Sequence, residues 1–221
     1  MNFKQILLFP LLALPLFVHA QQTADNGVFS YTIWNKHSIS HTMSVLLTDT
    51  IFVYNNIGIE KVMQQEDLII NDKFSSTTSL YTYYRIDFAK RHFQDIGKEL
   101  NYKRDADLPF TSPKLGIDFR YNYYHGEKYT VTDTTINHQP CKVFRFTGNA
   151  DNPLKDARIT LIFTEMNTKG IHIIPNLEDI FNGRLLSFEA TDDKDGRIVL
   201  VMEHIQPLSD YWKEVISQTL F

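Results

Sequence analysis

Paired tyrosines carry the most suggestive chemistry in this chain. The runs YTYYR (81–85) and YNYYH (121–125) read as strand segments with aromatics on both faces. Residues two apart on a strand share a face, so Tyr81 aligns with Tyr83 and Tyr121 with Tyr123. Such rows could line a groove or cavity for an apolar or planar ligand. The same residues also suit a half-buried pleated surface, where tyrosines pair across strands.

Other reactive residue types do not converge in the sequence. Asp193-Lys194-Asp195-Gly196 invites comparison with a calcium loop, but placing Gly196 at its sixth position puts Thr191 first and Met202 twelfth. A thioether cannot replace the bidentate carboxylate needed there, so the segment reads as a solvated hairpin turn. His37 and His41 have the four-residue spacing of helical metal ligands, yet their surroundings read as strand and loop. There is no HExxH and no GxSxG. No metal, cofactor or catalytic residue is therefore assigned. Glu66-Asp67 and Glu178-Asp179 are adjacent pairs that would point to opposite sides of a strand. Cys141 is the sole cysteine, which excludes an intramolecular disulfide, and its strand-like PCKVFRF context reads as buried.

Bulk composition narrows the classes further. With 43% hydrophobic and 13% aromatic residues the chain is too apolar for disorder and can build a sizeable core. The net charge of -4 argues against a nucleic-acid partner, which requires a basic footprint. The densest basic stretch, from Lys98 to Arg104, is interleaved with Glu99 and followed by Asp105 and Asp107.

The N-terminus carries an address. Lys4 precedes an apolar run from Ile6 to Val18, and Val18-His19-Ala20 ends it before Gln21-Gln22. This pattern predicts a signal peptide over residues 1–20, cut between Ala20 and Gln21. The apolar run is short for a bilayer span and contains Pro10 and Pro15. The expected product is a single β-rich domain over residues 21–221, periplasmic or secreted and not integral to the membrane.

The elements that must position any site are mostly strands. Alternation with β-branched and aromatic residues marks 27–34, 41–56, 79–93, 117–133, 141–148, 157–165, 183–192 and 196–205. The 41–56 run reads as two strands folded over Thr48-Asp49, and 117–133 as a hairpin turning at His125-Gly126. A short helix is expected over Glu60 to Ile70 and a turn or two from Pro175 to Phe181. The best helix runs from Ser209 to Leu220, capped by Ser209-Asp210. The Asp105 to Pro113 stretch, with two prolines, reads as a long loop.

The order of segments resembles the GLPGLI family of secreted β-rich proteins from Gram-negative bacteria. VFSYTIW and MSVLLTDTIFVYNN come early, followed by TTINHQPCKVFRF, ITLIFTE and GRLLSFEATDDKDGR. Cys141-Lys142 and Phe163-Thr164 sit where family elements would fall, and Gly183-Arg184-Leu185-Leu186 stands in place of the hexapeptide. The layout also resembles lipoprotein-carrier half-barrels. These likenesses imply a mainly β or α+β fold, a curved antiparallel sheet with one or two packed helices. The expected role is a non-enzymatic binding or accessory protein of the periplasm or outer-membrane periphery, holding an apolar small molecule or a protein partner. The rival is a secreted hydrolase whose site joins His125, His172 or His204 to remote acids.

Overall fold

The computed structural model describes residues 26–36, 41–70, 73–101, 105–164 and 173–218. The expected signal segment, with Ala20 and Gln21, lies outside them. The strands are β1 Gly27–Lys36, β2 Met43–Tyr54, β3 Ile57–Ile70, β4 Lys73–Asp87, β5 His92–Asp95, β6 Leu108–Pro109, β7 Thr130–Ile136, β8 Gln139–Thr147, β9 Arg158–Thr164, β10 Arg184–Thr191 and β11 Arg197–Gln206. Two short helices, α1 Pro175–Phe181 and α2 Asp210–Ser217, complete the described elements.

All eleven strands form one open, curved antiparallel sheet in the order β6-β5-β4-β3-β2-β1-β11-β10-β9-β8-β7. This is the fold class expected from the sequence. Two meanders meet in the middle, where β1 pairs with β11 and Ile33 lies opposite Leu200. Turn chemistry supports the tight hairpins. Asn55 and Asn56 between β2 and β3, and Asn137 and His138 between β7 and β8, all have positive φ. That is the backbone a two-residue primed turn requires.

Because β6 and β7 sit on opposite edges, the chain joining them must traverse the sheet. Residues 110–129 do this as an irregular strap across the inner face. Phe110, Ile117 and Phe119 of the strap join Phe29, Ile51 and Leu161 of the strands in the main core. Phe110 stacks on Phe119 at 4.0 Å between centroids. Leu177 of α1 enters the same core, with Phe181 packed against it. Burying each such side chain contributes roughly 1.5–3 kcal/mol.

The outer face differs between the two meanders. On the N-terminal side Ile57, Ile59 and Phe52 are covered by α2, through Trp212 and Ile216. Trp212 lies on Phe52 at 3.8 Å. Ser209 caps α2, accepting a hydrogen bond from the Trp212 N–H at 3.5 Å. On the C-terminal side, Arg145 and Thr147 of β8, Arg158 and Thr160 of β9, and Glu189 and Thr191 of β10 point outward, alternating with inward Phe144, Phe146, Leu161 and Phe188.

Three sequence expectations are corrected. Residues 43–54 form one strand rather than two, with Asp49 buried at mid-strand. The segment from Glu60 to Ile70 is the body of β3, not a helix, and Glu60 points into the core. The expected 117–133 hairpin is replaced by the strap followed by β7. In the first two cases a buried acid, Asp49 or Glu60, stands at a core position; in the third, the strap is required because β6 and β7 lie on opposite edges. A buried carboxylate looks like a turn or a solvent face until its partner is known.

Candidate functional site

A step in the sheet creates a concavity at its N-terminal side. β5 ends at Asp95 while its neighbour β4 begins far earlier, at Lys73, so much of β4 has no partner on that side. The chain turns away through Ile96 to Asn101. Two backbone bonds hold the turn to β4: Ile96 N–H to the Tyr83 carbonyl at 2.9 Å and Tyr83 N–H to the Gly97 carbonyl at 3.3 Å. Between turn and strand lies a cleft of about 550 Å³, lined by Tyr81, Thr82, Asp95, Lys98, Glu99 and Asn101 among others. That size suits a small ligand.

Tyr81 owes its position to a bulge. Val62 of β3 pairs with Thr82 and Met63 with Leu80, which leaves Tyr81 as the extra residue. A bulge re-aims the side chain it carries and is frequent beside functional sites. Tyr81 is 40% exposed at the cleft wall. Asp95 fixes the floor: its Oδ1 accepts from the Thr82 hydroxyl at 2.6 Å and from the Gly97 N–H at 2.8 Å. The arrangement offers an aromatic platform beside polar groups.

The four tyrosines named from the sequence do not form one groove. Tyr83 lies on the outer face, 6.1 Å from Trp212, and belongs to the cluster under α2. Tyr121 and Tyr123 stack on each other at 5.4 Å within the strap. Tyr123 continues onto Phe188 at 4.7 Å and packs on the opposite, inner core. Burial pushes the Tyr123 phenol above its usual range. Tyr81 is the one that lines the cleft.

Sequence reasoning missed a buried cluster on the inner face. The Lys114 ammonium and the Glu60 carboxylate form an ion pair whose side chains are both wholly buried. Lys114 also donates to the carbonyls of Leu115 and Ile117, each at 2.8 Å. Its Nζ sits 4.7 Å from the Tyr84 ring centre and 5.1 Å from that of Phe119. Glu60 Oε1 accepts the Ile117 N–H at 2.7 Å. The strap thus closes around one carboxylate at two points. Gly116 makes this possible: its φ is +75°, and a Cβ there would strike Glu60 and stand 2.9 Å from Asp49 Oδ2.

Asp49 lies beside this pair. Burial first, and the Glu60 carboxylate second, push its carboxyl well above the usual range. Opposite it on β1, Tyr31 is 1% exposed, and its phenol is likewise raised by burial. Two further acids hold backbone in the same manner. Glu178 accepts the N–H groups of Ile173 at 2.7 Å and Leu185 at 2.9 Å, tying both ends of the α1 segment. Glu127 accepts from Asn152 at 2.7 Å and from the His125 N–H at 2.6 Å. Burial alone would raise the Glu127 carboxyl, but these bonds outweigh it and hold the group below its ordinary value.

The remaining sequence candidates are placed separately. Asp192 Oδ1 accepts the Lys194 and Gly196 N–H groups at 2.8 and 2.7 Å, shaping the β10–β11 turn, while Asp195 pairs with Lys36. His125 is exposed, with its Nε2 3.1 Å from the Asn122 carbonyl. His172 and the side chain of His204 lie outside the described residues. Cys141 is buried, its thiol 3.4 Å from the Gln139 carbonyl. Among the described residues no three His, Cys, Asp or Glu side chains group as metal ligands. No helix among them is long and apolar enough to cross a membrane.

No family model and no curated protein matches this chain.

Proposed function

We propose that this is an exported, non-enzymatic binding or accessory protein of the periplasm or outer-membrane periphery. Its curved sheet is a scaffold, and its ligand sits at the rim rather than inside. One observation carries this reading: the protein's own strap fills the inner face. Phe110, Phe119 and the Lys114 clamp occupy the space an internal ligand would take. The buried acids Glu60, Glu127 and Glu178 hold backbone N–H groups, which is the work of tethers. The Tyr81 cleft remains open. Its aromatic platform and polar lining suit a small polar molecule with one planar or weakly apolar face, such as a sugar ring.

Native mass spectrometry of the protein purified from its own envelope tests this reading. A co-purifying small molecule is expected, and Tyr81→Ala with Glu99→Gln should reduce its occupancy about tenfold. Purification without any ligand, combined with turnover of a panel of esters or glycosides, would replace the binding reading with the hydrolase one.

A further inference from the structure

The outer face of the C-terminal meander carries a second polar concavity, remote in sequence from the Tyr81 cleft. Register builds it. Arg145 of β8 lies opposite Thr160 of β9, and Thr147 lies opposite Arg158. The four residues make a square with arginines on one diagonal and threonines on the other. Diagonal neighbours of this kind are roughly 7–8 Å apart. A depression of about 480 Å³ is lined by all four, together with Glu189 and Thr191 of β10.

Charge pairing sets these two arginines apart. Arg85, Arg91, Arg120 and Arg197 each meet an Asp or Glu side chain. Among the described residues Arg145 and Arg158 meet none; Arg145 donates to the Thr132 hydroxyl at 3.1 Å. The one carboxylate lining the depression is already engaged. Glu189 takes a hydrogen bond from Arg197 at 2.6 Å and another from the Thr191 hydroxyl at 3.4 Å. Two guanidinium groups and two hydroxyls are therefore left facing solvent in a protein whose net charge is -4.

We propose that this square binds a phosphate ester. Guanidinium presents paired N–H donors in a fork that matches two phosphate oxygens. A terminal phosphate carries three acceptor oxygens, enough to engage both arginines and a threonine hydroxyl together. A carboxylate has two and would leave one arginine unmatched. An isolated phosphate ester and a phosphate-bearing lipid headgroup present the same chemistry.

Calorimetric titration with sodium phosphate, against sodium chloride at equal ionic strength, provides the first arm. Co-sedimentation with phosphatidylcholine vesicles, with and without phosphatidic acid, provides the second. Binding in either arm is expected, and Arg145→Gln with Arg158→Gln should weaken it about tenfold or more. Thr160→Val should weaken it less. Lys128→Gln with Lys194→Gln removes two charges elsewhere on the surface and should leave it nearly unchanged. Binding to free phosphate without retention on phosphatidic acid vesicles identifies a soluble ester as the source, binding confined to those vesicles identifies a lipid, and binding in both arms supports the site for the shared phosphate group. Binding in neither arm, or equal losses in the arginine and lysine pairs, would overturn the proposal.

Discussion

Two clusters of this sheet, one in each meander, handle charge in opposite ways. The N-terminal one turns Asp49 and Glu60 inward and covers them with a strap lysine. The C-terminal one turns Arg145 and Arg158 outward with no carboxylate against them among the described residues. The outer surfaces nearby differ too: apolar beneath α2 on one side, threonine and arginine lining the depression on the other. Buried charge commits a residue to the fold, because its desolvation must be offset by a fixed partner. Exposed charge without a partner makes no such commitment and is free to meet a ligand. The contrast separates what holds the molecule together from what it presents.

The comparison breaks most sharply at Lys114. Lys114→Met leaves the Glu60 carboxylate buried without its cation and should cost about 3–5 kcal/mol in urea unfolding. Replacing both partners by apolar residues of similar volume should recover most of that loss. If the single substitution proves as mild as a surface change, the clamp is not what secures the strap.

Asp49 supplies a smaller effect with a defined sign. Its carboxyl titrates higher in the folded protein than in the unfolded chain, so the folded state binds the extra proton. Stability should therefore fall as pH rises from the ordinary carboxylate range through the folded value. Asp49→Asn removes the titration and should flatten that decline, which denaturant midpoints measured across pH will show. A wild-type curve that instead rises through the same window would contradict the assignment.

The smallest effect is expected on the other half. Arg145→Gln with Arg158→Gln should shift unfolding stability by no more than about 0.5 kcal/mol, the usual range for surface changes away from special features. Stability that is indifferent to the arginines and sensitive to Lys114 would sharpen the division between presenting and holding.

Legibility in the sequence tracks the same division. The β10–β11 hairpin across Asp192 to Gly196 and the Ser209-capped helix follow from nearest-neighbour patterns, and both are present in the fold. Tyr81 was legible as a candidate through the alternation of tyrosines in YTYYR. Its separation from Tyr121 and Tyr123 was not, because it depends on which face the strap crosses. Asp49 broke the alternation of β2 and so mimicked a turn. In β3, polar Glu60 ahead of Val62, Met63 and Leu68 mimicked the start of a helix. Polar residues at core positions are where local rules fail, and here both failures fall on one cluster.

Alternation, turn residues and capping were enough, from the chain alone, to determine a mainly β architecture with a C-terminal helix, since each acts over a few neighbouring residues. Tertiary structure decided the rest. Glu60 finds its cation 54 residues away, on a strap whose course depends on β6 and β7 occupying opposite edges. Arg145 and Arg158 become neighbours through strand register. Burial of charge and convergence of donors are long-range pairings, and no local pattern encodes them.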